Sequence, residues 1–175
     1  MANRMLKKTW LIRGILIIAV LALVGTALSC SPSDPSKALD FTLPTLTGAS
    51  ITLSELEGTP VVLNFWSTGS PPCVSQMPFL ESVAQQSGGE IKVIAINVGE
   101  SAATVQEFFG NNETTMIVAL DENREIFEHY CQHSNNPQQY IPLTLFVDSE
   151  GIVQHIRIGS FSSEEELWNT LDSVF

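Results

Sequence analysis

Two hydrophobic patterns divide the chain. Residues 14–28 are almost all apolar and show no period. From Ala38 onward, short apolar runs alternate with stretches of helical spacing. Residues 41–43 and 51–53 flank a turn at Thr47-Gly48, which predicts a β-hairpin. Residues 60–66 contain Val-Val-Leu-Asn-Phe, the run of a buried strand. Phe79, Leu80 and Val83 fall at helical spacing, which predicts a helix over 78–86, stopped by Gly88-Gly89. Strands follow at 91–98 and 116–120, separated by a helix over 104–109 that ends at Gly110. A short helix over 124–130 precedes two strands, 143–147 and 152–158, joined by the turn Asp148-Ser149-Glu150-Gly151. Ser162 is the expected cap of a last helix, with Glu164, Glu165 and Glu166 in its first turn, where the helix dipole favours them. After the hairpin the order is β-α-β-α-β-α-β-β-α. It predicts an α/β domain with a central mixed sheet, helices on both faces and an N-terminal hairpin extension.

Charge sharpens this division. The chain carries 8 basic and 19 acidic residues in 175. Four of the basic residues (Arg4, Lys7, Lys8 and Arg13) precede Gly14, where no acid occurs, so the remainder has a net charge of −15. So acidic a domain repels nucleic acid, and no nucleic-acid partner is expected. Basic residues followed by an apolar run form the layout of an export signal. Cys30 directly after Ala27-Leu28-Ser29 resembles a bacterial lipobox, in which the cysteine takes the lipid and becomes the mature first residue. Three readings stay open: a lipoprotein attached through Cys30, an uncleaved N-terminal anchor, and plain secretion. The first two tether the domain outside the cytoplasmic membrane. The expected organisation is a leader or anchor over 1–29, a tether over 30–37 and one domain over 38–175.

Three local signatures carry a family resemblance. The first is Val61-Val62-Leu63-Asn64-Phe65-Trp66-Ser67-Thr68, then Pro71-Pro72-Cys73 and Met77-Pro78. The second is Ile141-Pro142-Leu143-Thr144-Leu145-Phe146-Val147-Asp148. The third is residues 148–151 leading into Ile152-Val153. Together they resemble the TlpA-like, redoxin branch of the thioredoxin superfamily, the membrane-anchored thiol:disulfide oxidoreductases. The resemblance implies a thioredoxin-like fold and a pair of cysteines, two residues apart, at the amino end of a helix. There the first thiolate attacks a disulfide and the second cysteine resolves the mixed product.

The chain departs from that family at three positions. Ser70 stands where the family has its first cysteine, Gly69 where it has a tryptophan, and Gln76 where it has an acid. Cys73 matches the second, shielded cysteine. A serine hydroxyl is far too weak an acid to replace a thiolate without a base. The resemblance also implies that Pro142 is cis and that the backbone before it, at Ile141, pairs with an extended substrate peptide. Protein or peptide thiols and disulfides are therefore the implied partners, with no cofactor.

Other residues allow further readings. Cys131 is a third thiol, and a Cys73–Cys131 pair requires Cα atoms within about 7 Å. Glu125, His129 and His133 at i, i+4 and i+8 could line one helix face as metal ligands, but a polar helix end is the simpler reading, and no metal is expected. Ser70 and Cys73 also resemble the Thr-x-x-Cys of peroxiredoxins, with Cys73 as the peroxide-attacking thiol. That chemistry needs an activating arginine, for which only Arg124 and Arg157 are available. Redox chemistry through one thiol, non-catalytic binding beside Pro142 and peroxide reduction are thus three competing functions.

Overall fold

The computed structural model describes residues 37–175. The expected leader, the lipid site at Cys30 and most of the tether lie outside them. The hairpin is β1 (Thr42–Pro44) with β2 (Ser50–Thr52), followed by a single 3-10 turn, Leu53–Leu56. Then come β3 (Val61–Trp66), α1 (Pro71–Gln86), β4 (Lys92–Val98), α2 (Ala102–Phe109) and β5 (Ile117–Asp121). The chain closes with α3 (Glu125–His133), β6 (Leu143–Val147), β7 (Val153–Ile158) and α4 (Glu164–Val174). Among these elements no helix is long and apolar enough to cross a membrane.

The five-stranded sheet has the order β5-β4-β3-β6-β7. Strands β3, β4 and β5 run parallel, whereas β6 runs antiparallel to β3 and β7 antiparallel to β6. All six residues of β3 are buried, which explains its unbroken apolar run: both faces of this central strand are covered. Side chains alternate between the faces and build two cores. Val62, Trp66, Val93, Ala95 and Phe146 meet α1, α2 and α4. Leu63, Phe65, Ile94, Ile96 and Leu145 meet α3 and the hairpin. The mixed sheet, the two helical layers and the N-terminal hairpin are those expected.

Strand ends shift by a residue, the helices expected over 104–109 and 124–130 run over 102–109 and 125–133, and two helix starts differ in a way that bears on the site or its caps. Helix α1 begins at Pro71, two turns before the expected start at Pro78. Proline at the first helical position loses nothing, because that N–H has no helical acceptor. Pro78 sits inside the helix and forfeits one backbone bond. The buried row Cys73, Gln76, Met77, Leu80 and Val83 runs straight through it, and this burial outweighs the lost bond. The last helix is capped by Ser163, not Ser162: the Ser163 hydroxyl accepts from Glu166 N–H. Glu166 reaches back to the Ser162 N–H and hydroxyl, both at 2.7 Å. The β6–β7 turn closes as read, with Gly151 at φ +81, a conformation that suits glycine.

Candidate functional site

Parallel strand β3 delivers its carboxyl end, through the loop 67–70, to the amino end of α1. Ser70 is the helix N-cap, with extended backbone, yet its side chain makes no capping bond. Proline at the first two helical positions removes two of the N–H groups that a helix start leaves without a helical acceptor, one of which such a cap would serve. The exposed backbone donors that usually favour an anion at a helix start are therefore reduced to the N–H of Cys73. The Ser70 hydroxyl turns instead to the Cys73 thiol.

Cys73 is 0% exposed. Burial pushes its thiol above the ordinary range, the nearby Glu100 charge adds to this, and hydrogen bonds from Ser70 and the Ser67 backbone only partly oppose it. Glu100 was not singled out in the sequence. It accepts from Thr68 N–H at 2.8 Å, Thr68 hydroxyl at 2.6 Å and Asn97 Nδ2 at 2.6 Å. Burial pushes this carboxyl up, but those three donors outweigh it and hold it below its usual value. Its position just past the end of β4 was the available signal, because open α/β sheets build sites at the carboxyl ends of parallel strands. Gln76 is also fully buried: its Oε1 accepts from Phe161 N–H at 3.1 Å, and its Nε2 has no partner.

The second flank of the site is the start of β6. The Ile141-Pro142 bond is cis, as the resemblance implies. Pro142 carbonyl accepts from Gly159 N–H at 2.8 Å. Among the described residues, the Ile141 N–H and C=O carry no hydrogen bond.

The Cys73–Cys131 pair is not formed, and both thiols are free. Cys73 packs in the core under α1, whereas Cys131 packs with Phe127 and Tyr130 in the core on the opposite sheet face. The cause is topological. Helix α3 crosses behind the sheet, so the segment entering β6 reaches the site edge while Cys131 does not. Burial raises the Cys131 thiol too, opposed by a 3.5 Å contact from Asn136 Nδ2.

His129 and His133 stack with ring centroids 4.2 Å apart, and among the described residues no group of three or more His, Cys, Asp or Glu could hold a metal ion. Arg124 pairs with Glu128 and lies over Phe127, and Arg157 is engaged by Glu166 and the Ser160 carbonyl. Neither arginine bonds the Cys73 thiol, so the peroxidase reading lacks its activating group.

A buried cysteine in the first turn of a helix, beside a cis-proline at the start of an interior strand of a mixed sheet, defines a thioredoxin-like protein. The chain belongs to the redoxin family: that family's model, described as Redoxin, matches residues 34–171. It stands there among the thiol-disulfide oxidoreductases. It is 30% identical over 165 residues to thiol-disulfide oxidoreductase ResA of Halalkalibacterium halodurans, covering 90% of each chain. It is 31% identical over 171 residues to thioredoxin-like protein YneN of Bacillus subtilis, covering 92% of this chain and 95% of that one. Among solved structures, a putative thiol:disulfide interchange protein DsbE from Chlorobium tepidum superposes with a TM-score of 0.70 at 23% identity, over 79% of this chain and 95% of that one. The pneumococcal exposed lipoprotein thioredoxin from Streptococcus pneumoniae gives 0.65 at 22%, over 77% of this chain and 99% of that one. These likenesses to solved structures establish the fold.

Proposed function

We propose that this chain is an extracytoplasmic, membrane-tethered thioredoxin-like protein that binds extended protein segments beside Ile141-Pro142. Its degenerate Ser70-Pro71-Pro72-Cys73 site does not by itself turn over disulfides. The carrying observation is the state of Cys73: wholly buried, with its thiol raised by that burial beyond what the bonds from Ser70 and the Ser67 backbone offset. A thiol in that state is a poor nucleophile, and the more accessible position 70 beside it holds oxygen instead of sulfur. The unbonded Ile141 backbone, at the entrance to β6, supports pairing with an extended peptide there. Relatives named thiol-disulfide oxidoreductases support protein thiols and disulfides as the partners. The basic-then-apolar leader supports export over 1–29, lipid attachment at Cys30, a tether over 30–37 and a domain over 38–175, and the lipoprotein thioredoxin among the neighbours is consistent with it.

Thiol labelling of the native full chain tests this reading. Cys73 and Cys131 are expected to react slowly with iodoacetamide at pH 7 and fully after denaturation, with Cys30 blocked by lipid. One fast thiol on the native protein would instead establish single-thiol chemistry, and a missing pair would establish a disulfide.

A further inference from the structure

Tyr140 is 60% exposed, the most exposed large hydrophobic residue among those described. Among the described residues its ring has no aromatic contact and its hydroxyl no hydrogen bond. Its backbone is the opposite. Asn136, only 1% exposed, donates from Nδ2 to the Tyr140 carbonyl and accepts on Oδ1 from the Tyr140 N–H, both at 2.9 Å. This side chain pairs with Tyr140 as a neighbouring strand would. Asn136 is itself held, its N–H donating to the Cys131 carbonyl at 3.2 Å and its own carbonyl accepting from Gln139 N–H at 2.9 Å. Arg124 Nη2 braces Gln139 Oε1 from outside at 2.8 Å.

A buried carboxamide is costly unless every polar atom is paired. Here both ends of it are used on one backbone residue whose ring stays in water. Folding gains little from that ring, so the arrangement fixes its place next to the open Ile141 backbone. A segment pairing with Ile141 sets one of its side chains against Tyr140, and an aromatic opposite an aromatic or aliphatic residue is a favourable cross-strand pair.

We infer that Tyr140 selects bound segments carrying an aromatic or aliphatic side chain next to their cysteine, and that Asn136 positions it. This rests on the groove beside Ile141-Pro142 proposed above.

The test uses the full chain in detergent and two fluorescent eight-residue peptides with an alkylated cysteine, flanked by Phe in one and by Ser in the other. Each also carries a photo-crosslinker. The Phe peptide is expected to bind the wild type more tightly and to crosslink within 139–142. Tyr140→Ala is expected to weaken the Phe peptide about two- to fivefold, to the level of the Ser peptide, while Tyr140→Phe retains the preference. Asn136→Ala is expected to reduce the ratio between the peptides, whereas a merely structural role would weaken both equally. If Tyr140→Ala binds the Phe peptide as the wild type does while crosslinks stay at 139–142, this inference fails and the groove stands. If neither peptide binds, or crosslinks fall elsewhere, both fail.

Discussion

At the scale of single residues, the site is shaped by two polar side chains, the half-buried Ser70 and the fully buried Gln76, where the resemblance implies sulfur and a carboxyl. Ser70 offers its hydroxyl to Cys73, and Gln76 offers its carbonyl oxygen to Phe161 N–H. Gln76→Ala would leave that buried N–H without an acceptor. The expected cost is about 1–3 kcal/mol of stability, read as a lower urea midpoint with an unchanged slope. Ser70, Cys73 and Pro142 were legible in the sequence because each lies in a short, contiguous motif. Glu100 and Asn136 were not, because their roles arise only when distant segments meet. Asn136 sits in a polar stretch that reads as a plain loop until its bonds to Tyr140 are seen.

At the scale of elements, buried strands and hairpin turns read correctly, and helix starts read least well. The spacing of Phe79, Leu80 and Val83 favoured a start at Pro78, whereas the helix begins at Pro71, which puts Cys73 in its first turn as the resemblance implies. At α4, the three glutamates were read from the dipole, but the cap is made by the Ser163 hydroxyl, which accepts from Glu166 N–H, while the Glu166 carboxylate accepts from Ser162. Bonds from the Ser162 N–H and hydroxyl, then the Arg157 guanidinium, pull the Glu166 carboxyl down to about 2 from 4.5. A carboxyl depressed on folding stabilises the native state above its unfolded value and loses that contribution as pH falls through its folded value. Glu166→Gln is therefore expected to melt at a lower temperature than wild type at pH 7. The gap should narrow between pH 4.5 and 2. Thermal melts of both proteins across that range check it. A gap that stays constant would show that the carboxylate's charge contributes nothing.

At the scale of the whole molecule, the fold was legible because strand and helix alternate under a clear change of hydrophobic period. The separation of Cys73 from Cys131 was not, because sequence spacing does not reveal on which sheet face a helix packs. Attachment to the envelope belongs to this scale as well. Mass spectrometry of the mature protein is expected to find an acylated Cys30 as its first residue, and an intact segment 1–29 on the membrane form would establish the anchor instead.

The central claim is that turnover was lost with one sulfur atom while the surrounding site remained. The variant Ser70→Cys tests it. The introduced thiolate would attack a substrate disulfide and release one thiolate. Cys73, three residues on, would then displace the second thiol and leave an internal disulfide for dithiothreitol to reduce. The gain should be partial, because Gly69 and Gln76 stay as they are. The most direct measurement is insulin reduction by dithiothreitol, with the full-length wild type and the variant side by side. The account predicts no turnover above background for the wild type, and measurable turnover with an internal disulfide for Ser70→Cys. Equal turnover by the two proteins, or a variant whose new thiol never bonds to Cys73, would contradict it.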